Sequence, residues 1–385
     1  MRKPRLAVLG ATGVVGRHIL EILEQLKVPY ESIKLLSSAK SAGSRLNFDG
    51  VERIVEEAKP ESFDDVDIVL ASAGASTSKK FAPEIVKRGG LIIDNSSAFR
   101  MEEKIPLVIA GVNDEDLKEH AGIIANPNCS TSQLILALKP LHELATIKRM
   151  IVSTYQSVSG AGLAAINELK ENTKARLEEK PFTPVKFTQE IAFNCIPQID
   201  EFCENGYTKE EMKVTNDTRK IMHFSKNLPI SCTAVRVPVF VGHSEAIDLE
   251  FEKPIDVATA RNALANAYGL EVVDDIKNKV FPTAIQAEGK DPVYSGRIRK
   301  NIAFENGYPD DVVFPKFSNP FENIPKFHDI FNVNKNTDSE TVEQSPIMEK
   351  LKNTADAFDD MANEIANECS ERIREGLRKA FFGKK

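Results

Sequence analysis

A cysteine at position 129 stands in the run Ala125-Asn126-Pro127-Asn128-Cys129-Ser130-Thr131-Ser132-Gln133, and a long apolar-periodic stretch begins directly after it. Pro127 disfavours helix before it, and Asn128, Ser130, Thr131 and Ser132 are cap-type residues. The spacing therefore predicts Cys129 at a helix N-terminus. Unpaired main-chain N–H groups and the helix dipole favour negative charge there, which stabilises a thiolate over a thiol. A thiolate so placed is a candidate covalent nucleophile. The competing reading is a small buried apolar cysteine, the usual state of a free thiol.

A second constellation lies near the N-terminus. Gly10-Ala11-Thr12-Gly13-Val14-Val15-Gly16 follows a short apolar run, Leu6-Ala7-Val8-Leu9, and opens a helical pattern. Glycines at this spacing keep a strand-to-helix turn tight and let main chain approach a pyrophosphate at the helix N-terminus. The context of strand before and helix after is what raises the pattern above a lone glycine triplet. The next strand ends in Ser37-Ser38-Ala39-Lys40-Ser41-Ala42-Gly43, where an NAD-preferring site usually carries Asp or Glu. Hydroxyls and one cation suit a ribose 2′-phosphate, so the expected cofactor is NADP.

These groups need elements to hold them. Beyond the glycine turn, His18 to Leu26 reads as an amphipathic helix, Ile33–Leu36 as a strand, Asp67–Ala71 and Leu91–Asp94 as further strands, and Ser78 to Arg88 as a helix between them. Strand–helix alternation of this kind predicts a Rossmann-like, doubly wound parallel sheet in an α/β domain over residues 1–128. The texture then changes. Met150 to Gly162 reads as a strand entering a glycine turn, Leu163 to Leu177 as a helix, and Ser231 to Phe251 as strand, glycine break and strand. This predicts an α+β domain over 129–307, built on a mostly antiparallel sheet. Residues 308–385 form a divergent tail with a long amphipathic helix over about 345–382.

Composition fits an ordinary globular enzyme of two domains: 385 residues, 42% hydrophobic, 28% charged. A net charge of −7 argues against a nucleic-acid partner. No apolar run approaches the roughly 18 residues of a membrane span, and the basic start lacks the apolar core of a signal peptide. Five cysteines without a CxxC pair, and six histidines without ligand spacing, argue against disulfides and metal and suit a cytoplasmic protein.

Several motifs in order carry a family resemblance: the glycine turn, Asp94-Asn95-Ser96-Ser97-Ala98-Phe99-Arg100, Ala125 to Thr131, Tyr155 to Gly162, Ile191 to Asp200, Asn205 to Met212, and Val235 to Glu245. Together they closely resemble aspartate-β-semialdehyde dehydrogenase from residue 5 to about Gly307. The resemblance implies reduction of L-aspartyl-4-phosphate by NADPH to aspartate semialdehyde and phosphate, a step towards lysine (through diaminopimelate), threonine and methionine. It implies Cys129 as nucleophile, Gln156 as the amide orienting the acyl group, and His243 as general acid/base. It implies Arg236 on the substrate α-carboxylate, Arg100 and Lys220 on phosphate, and Asp217 on the substrate amino group, with Asn128 also at the substrate. The cofactor set would be Gly10, Thr12, Gly13, Val14, Val15, Ser37, Ser38, Lys40, Ser41, Ser72, Gly74, Ser159 and Gly160. A homodimer, or a dimer of dimers, is also implied.

The chain departs from the family pattern in places. Asp217 stands where Glu is usual. Val108 to Asn113 lacks the usual Pro-Glu, and Ala75 replaces a common Gly. Arg236 lies seven residues before His243, an offset that puts the two on opposite faces of one ideal strand unless a bend near Pro238 or Gly242 intervenes. After Gly307 the usual Trp-containing strand and small-residue helix are missing, and the chain has no Trp. Its own last helix could replace the missing one, pair with a partner chain, or leave the core incomplete. A non-catalytic, NADP-binding scaffold with a partner-binding helix is therefore a second reading. N-acetyl-glutamyl-phosphate reductase, which usually has Gly before its Cys where this chain has Asn128, is a third.

Overall fold

The computed structural model describes residues 2–301 and 312–318. They fall into two compact units, one of residues up to Pro106 with Asp114–Ala125, the other of Leu107–Asn113 and residues from Asn126 onward. The first unit thus ends at Ala125 rather than at 128, and a short segment before it belongs to the second. The expected helix over 345–382 lies outside the described residues.

In the first unit β1 (Arg5–Leu9) leads through the glycine turn into α1 (Val14–Gln25). There follow β2 (Ser32–Ser37), the hairpin β3 (Arg45–Phe48) and β4 (Val51–Ile54), and the short β5 (Glu56–Glu57). Then come β6 (Ile68–Ala71), α2 (Ala75–Lys87), β7 (Leu91–Asp94) and β8 (Ile123–Ala125). The main sheet runs β5-β2-β1-β6-β7-β8, and every pairing in it is parallel. A parallel sheet buries both faces, which is why β6 and β7 are buried along their whole length and read as unbroken apolar runs. β1 has β2 on one side and β6 on the other, so the chain reverses its winding at the glycine turn. That reversal is where such sheets open a crevice for ligands. α1 buries Gly16, Ile19, Leu20 and Leu23 at helical spacing. It starts four residues earlier than its apolar pattern suggests, because its first turn still carries a glycine of the motif.

The second unit opens with α3 (Cys129–Ala145), a core helix buried on most sides. β9 (Ile147–Gln156), α4 (Leu163–Leu177), α5 (Lys209–Ile221), β10 (Ile230–Arg236) and β11 (His243–Phe251) follow. α6 (Val257–Ala265), β12 (Leu270–Val272), α7 (Ala284–Ala287), β13 (Val293–Ser295), β14 (Arg299–Lys300) and β15 (Val312–Ser318) complete it. The sheet order is β10-β9-β11-β15-β13-β12, with β14 beside β15. It is mixed: β9 pairs β10 in parallel and β11 antiparallel. Strand β15 enters between β11 and β13, so the segment expected to begin a tail contributes a strand of this sheet. Pro315 inside it hides the strand from a sequence reading, since proline cannot donate to a ladder. β9 and β11 alternate buried and more open residues, and their buried side carries the side chains that matter below.

Candidate active site

The site is assembled at one end of the second sheet. In the parallel pair of β9 and β10, Gln156 and Arg236 are direct register partners. The chain leaves β10 at Arg236, crosses the end of β9 through residues 237–242, and starts β11 at His243. His243 precedes the Ser244–Tyr155 pair and so falls level with Gln156. Arg236, Gln156 and His243 therefore form one row across three strands, all buried. The seven-residue offset does not place Arg236 and His243 on opposite faces, because they lie on different strands with β9 between them.

The turn after β9 ties this row together. Ser157 donates its main-chain N–H to His243 Nδ1 at 3.0 Å, and its carbonyl accepts from Arg236 Nη1 at 2.5 Å. Because Nδ1 accepts from a main-chain N–H, the neutral ring carries its proton on Nε2. That is the tautomer able to donate to a carbonyl oxygen or to the oxyanion formed from it. Burial first, and the Arg236 charge second, hold the His243 pKa well below the ordinary histidine range. Gly160 lies against both heads: a Cβ added there would stand 3.0 Å from Cε1 and Nε2 of His243 and 3.4 Å from Arg236 Nη1. Ser159 Oγ is 3.0 Å from Ser157 Oγ.

Cys129 is the first residue of α3, as its sequence context predicts, and is partly exposed. Asn128 is the N-cap. Its Oδ1 accepts from the N–H groups of Ser130 at 2.9 Å and Thr131 at 3.3 Å, its Nδ2 donates to Glu210 Oε1 at 2.8 Å, and its own N–H donates to Asp217 Oδ2 at 3.0 Å. The residue before the sulfur is thus fixed on four counts. Burial lowers the Arg236 pKa, while the charges of Glu210 and Cys129 oppose that shift, so guanidinium and sulfur lie within electrostatic reach. Among the other described cysteines the contrast is chemical. Cys232 is buried, and burial with Glu245, Glu211 and Glu210 nearby pushes its thiol pKa far up, so it stays neutral.

α5 supplies the acids and cations. Thr208 and Glu211 form a reciprocal capping box, and Glu211 Oε1 also accepts from Ala234 N–H at 2.9 Å, fastening the helix start to β10. This places Glu210, Asp217 and Lys220 along one helix. Glu210 was not legible as a site residue. Its sequence signals are its place in the Asn205 to Met212 motif and the capping box of its neighbour, which fixes Glu210 in the first turn of α5.

The second unit therefore gathers Asn128, Cys129, Gln156, Ser159, Gly160, Asp217, Arg236 and His243, and holds Lys220 on the same helix as Asp217. The first unit holds Gly10, Thr12, Gly13, Val14, Val15, Ser37, Ser38, Lys40, Ser41, Ser72, Gly74 and Arg100. Gly10 has φ +91°, and a Cβ on it would sit 2.3 Å from the Ser72 carbonyl oxygen. Only glycine fits where these two loops cross. Thr12 Oγ1 and Ser37 Oγ are 2.9 Å apart, joining the glycine turn to the end of β2. Ser38 accepts from Ser41 N–H at 2.9 Å, so the serines and Lys40 form one compact turn. α1 has Gly13 as N-cap, no side-chain cap and no acid in its first turn, and α2 begins at Gly74 in the same uncapped way. Two helix starts are left with main-chain N–H groups for an anion, which fits a dinucleotide's phosphates. Arg100 donates to the Asn95 carbonyl at 3.0 Å.

A unit with a Rossmann-like sheet and uncapped glycine turns, and a second unit presenting a helix-start cysteine and a row of Gln, Arg and His, define a nicotinamide-binding dehydrogenase of the semialdehyde class. Residues 5–120 match the NAD binding domain of semialdehyde dehydrogenases, and residues 138–309 match their dimerisation domain. The aspartate-semialdehyde dehydrogenase of Aquifex aeolicus is 52% identical over 79% of this chain and 90% of its own length. That of Bacillus subtilis is 48% identical over the same shares. The crystal structure of aspartate semialdehyde dehydrogenase II from Vibrio cholerae, complexed with ASA, matches with a TM-score of 0.80 at 40% identity, covering 85% of this chain and 96% of that one. The chain belongs to the aspartate-semialdehyde dehydrogenase family.

Proposed function

We propose that the chain reduces L-aspartyl-4-phosphate to L-aspartate 4-semialdehyde, with NADPH as cofactor, through a thioester on Cys129. The observation that carries this is the helix-start position of Cys129 within electrostatic reach of Arg236, whose row-mates are Gln156 and His243. The Cys129 thiolate attacks the acyl-phosphate carbon. The new C–S bond forms, the bond from the acyl carbon to the bridging oxygen breaks, and phosphate leaves with that electron pair. NADPH, when bound, supplies the hydride that reduces the thioester. His243 Nε2–H donates to the oxyanion at the reacting carbon. Collapse of that oxyanion breaks the C–S bond and returns the thiolate. Arg236 presents a planar fork to the substrate α-carboxylate, and Gln156 orients the acyl group. Arg100 and Lys220 bind phosphate, and Asp217 the amino group. Gly10, Thr12, Gly13, Val14, Val15, Ser72 and Gly74 hold the dinucleotide phosphates, Ser37, Ser38, Lys40 and Ser41 the 2′-phosphate, and Ser159 and Gly160 the nicotinamide end. The chain works as a homodimer through its second unit. β9 offers Ile151 and Tyr155, both exposed on the side away from the row, to a second copy. The setting is the cytoplasm, where a free nucleophilic thiol stays reduced. Among the described residues no helix is long and apolar enough to cross a membrane.

The test runs the reaction backwards: NADPH formation from aspartate semialdehyde and NADP, dependent on phosphate or arsenate, for the full chain and for Cys129→Ala. Phosphate-dependent turnover that Cys129→Ala abolishes is expected. An intact chain no faster than Cys129→Ala sinks the proposal, and so does a preference for NADH-linked chemistry for the cofactor assignment.

A further inference from the structure

Three side chains of the proposed site answer to one carboxylate that the reaction above does not use. Glu210, in the first turn of α5, is 6% exposed. Its Oε1 accepts from Asn128 Nδ2 at 2.8 Å and from Gln156 Nε2 at 3.2 Å. Its Oε2 lies 3.3 Å from Lys213 Nζ, which also reaches Asp200 at 2.7 Å. Its charge acts on the Arg236 guanidinium as well.

An ionised carboxylate can only accept. Both amides that face it must therefore turn their NH2 ends towards it. An amide rotated by 180° has nearly the same shape, so packing alone discriminates poorly between the two orientations. For Gln156 the carboxylate removes the ambiguity; for Asn128 it holds the NH2 end of an amide whose oxygen end the Ser130 and Thr131 N–H groups already require. Asn128 is left with its oxygen on the two helix-start N–H groups behind Cys129, and Gln156 with its oxygen turned away from Glu210. We propose that Glu210 is a positioning residue for the thioester chemistry: it sets the orientation of the Gln156 amide and anchors the NH2 end of Asn128, and through them the seat of the acyl oxygen and of Cys129. This rests on the roles given above to Cys129 and Gln156.

Reach, rather than charge, is the operative property. Asp at 210 keeps the charge but withdraws the oxygens by about one bond length, ~1.5 Å, which takes both contacts beyond hydrogen-bonding distance. Gln at 210 loses the charge but keeps an acceptor oxygen at full reach, with its NH2 on the Lys213 side, where Lys213 still has Asp200. The conservative change by charge is thus the damaging one.

The experiment measures kcat and KM in the phosphate-dependent oxidation of aspartate semialdehyde for the full-length chain and its variants. Glu210→Asp is expected to lose at least ~30-fold in kcat with KM within threefold, and Glu210→Gln to stay within about threefold of the parent. In a Gln156→Ala background the Glu210→Asp factor is expected to shrink at least threefold, because coupled groups do not add. Glu210→Asp within threefold of the parent, Glu210→Gln as slow as Glu210→Asp, or independent factors in the double variant would each overturn the assignment. If Glu210→Asp does not fold, Gln156→Glu and the swap Gln156→Glu with Glu210→Gln replace it. Two carboxylates at this spacing lower the melting temperature and the swap restores it; no restoration overturns the contact. Cys129→Ala in the same series separates the two levels. If it keeps activity, the site reading itself fails; if it is dead while Glu210→Asp is unharmed, only the role of Glu210 fails.

Discussion

Replacing Gly160 by Ala tests the packing of the catalytic row with a single methyl group. The backbone at Gly160 is not in the left-handed region, so alanine brings no main-chain strain. Its Cβ would stand 3.0 Å from Cε1 and Nε2 of His243 and 3.4 Å from Arg236 Nη1. Unstrained carbon contacts lie at ~3.5–4.0 Å, so the imidazole must retreat by roughly 0.5–1 Å. It is held from behind by the Ser157 N–H on Nδ1 at 3.0 Å, and Arg236 by the Ser157 carbonyl. Overpacking of this kind costs ~1–3 kcal/mol. A misplacement of up to ~1 Å in a reacting group costs up to ~100-fold in rate, which at ~1.4 kcal/mol per tenfold corresponds to ~3 kcal/mol at most. The expected result is a kcat lower by ~10–100-fold in the phosphate-dependent oxidation of aspartate semialdehyde, with a melting temperature lowered by a few degrees. A kcat within twofold of the parent would refute the claim that Gly160 is glycine because the two heads converge on it.

His243 gives a pH prediction with a definite sign. Its folded-state pKa lies well below 6.5, through burial first and Arg236 second, so between the two values the unfolded chain binds the extra proton. Its contribution to stability is thus present above about pH 6.5 and is lost as the pH falls towards the folded value. Urea melts at pH 7.5 and 5.5 should show a smaller loss for His243→Gln than for the parent, and equal losses contradict the assignment. Gly10→Ala puts a Cβ 2.3 Å from the Ser72 oxygen at a φ of +91°. It is expected to lower stability by about 3 kcal/mol or more and to weaken NADPH binding, measured by denaturant melts and cofactor titration.

The sequence displays what is local and conceals what is paired across the chain. The cap chemistry of Asn128 places Cys129 at the first helical position, and the helix Leu163–Leu177 reads out to its observed bounds, because both depend on neighbours a few residues apart. The glycine turn is legible for the same reason. Arg236 and His243 are the opposite case. Their offset suggests opposed faces, and only the insertion of β9 between their strands aligns them, a pairing set by register with residues eighty positions away. Glu210 is hidden because its partners, Asn128 and Gln156, come from α3 and β9. Strand β15 is hidden because Pro315 breaks its pattern, although three neighbouring strands supply the ladder.

The row across β10, β9 and β11 also works as a gauge. Adjacent strands stand ~4.8 Å apart, so the roots of Arg236 and His243 are set at ~10 Å by main-chain ladders that no rotamer can change. What varies is the span between their tips, which meet over Gly160. With the roles proposed for Arg236 and His243, a substrate longer by one methylene needs more room between the group held by the guanidinium and the carbon beneath the imidazole. Selection for a longer acyl chain should therefore remodel the tips at 236 and 160 and leave the strands where they are.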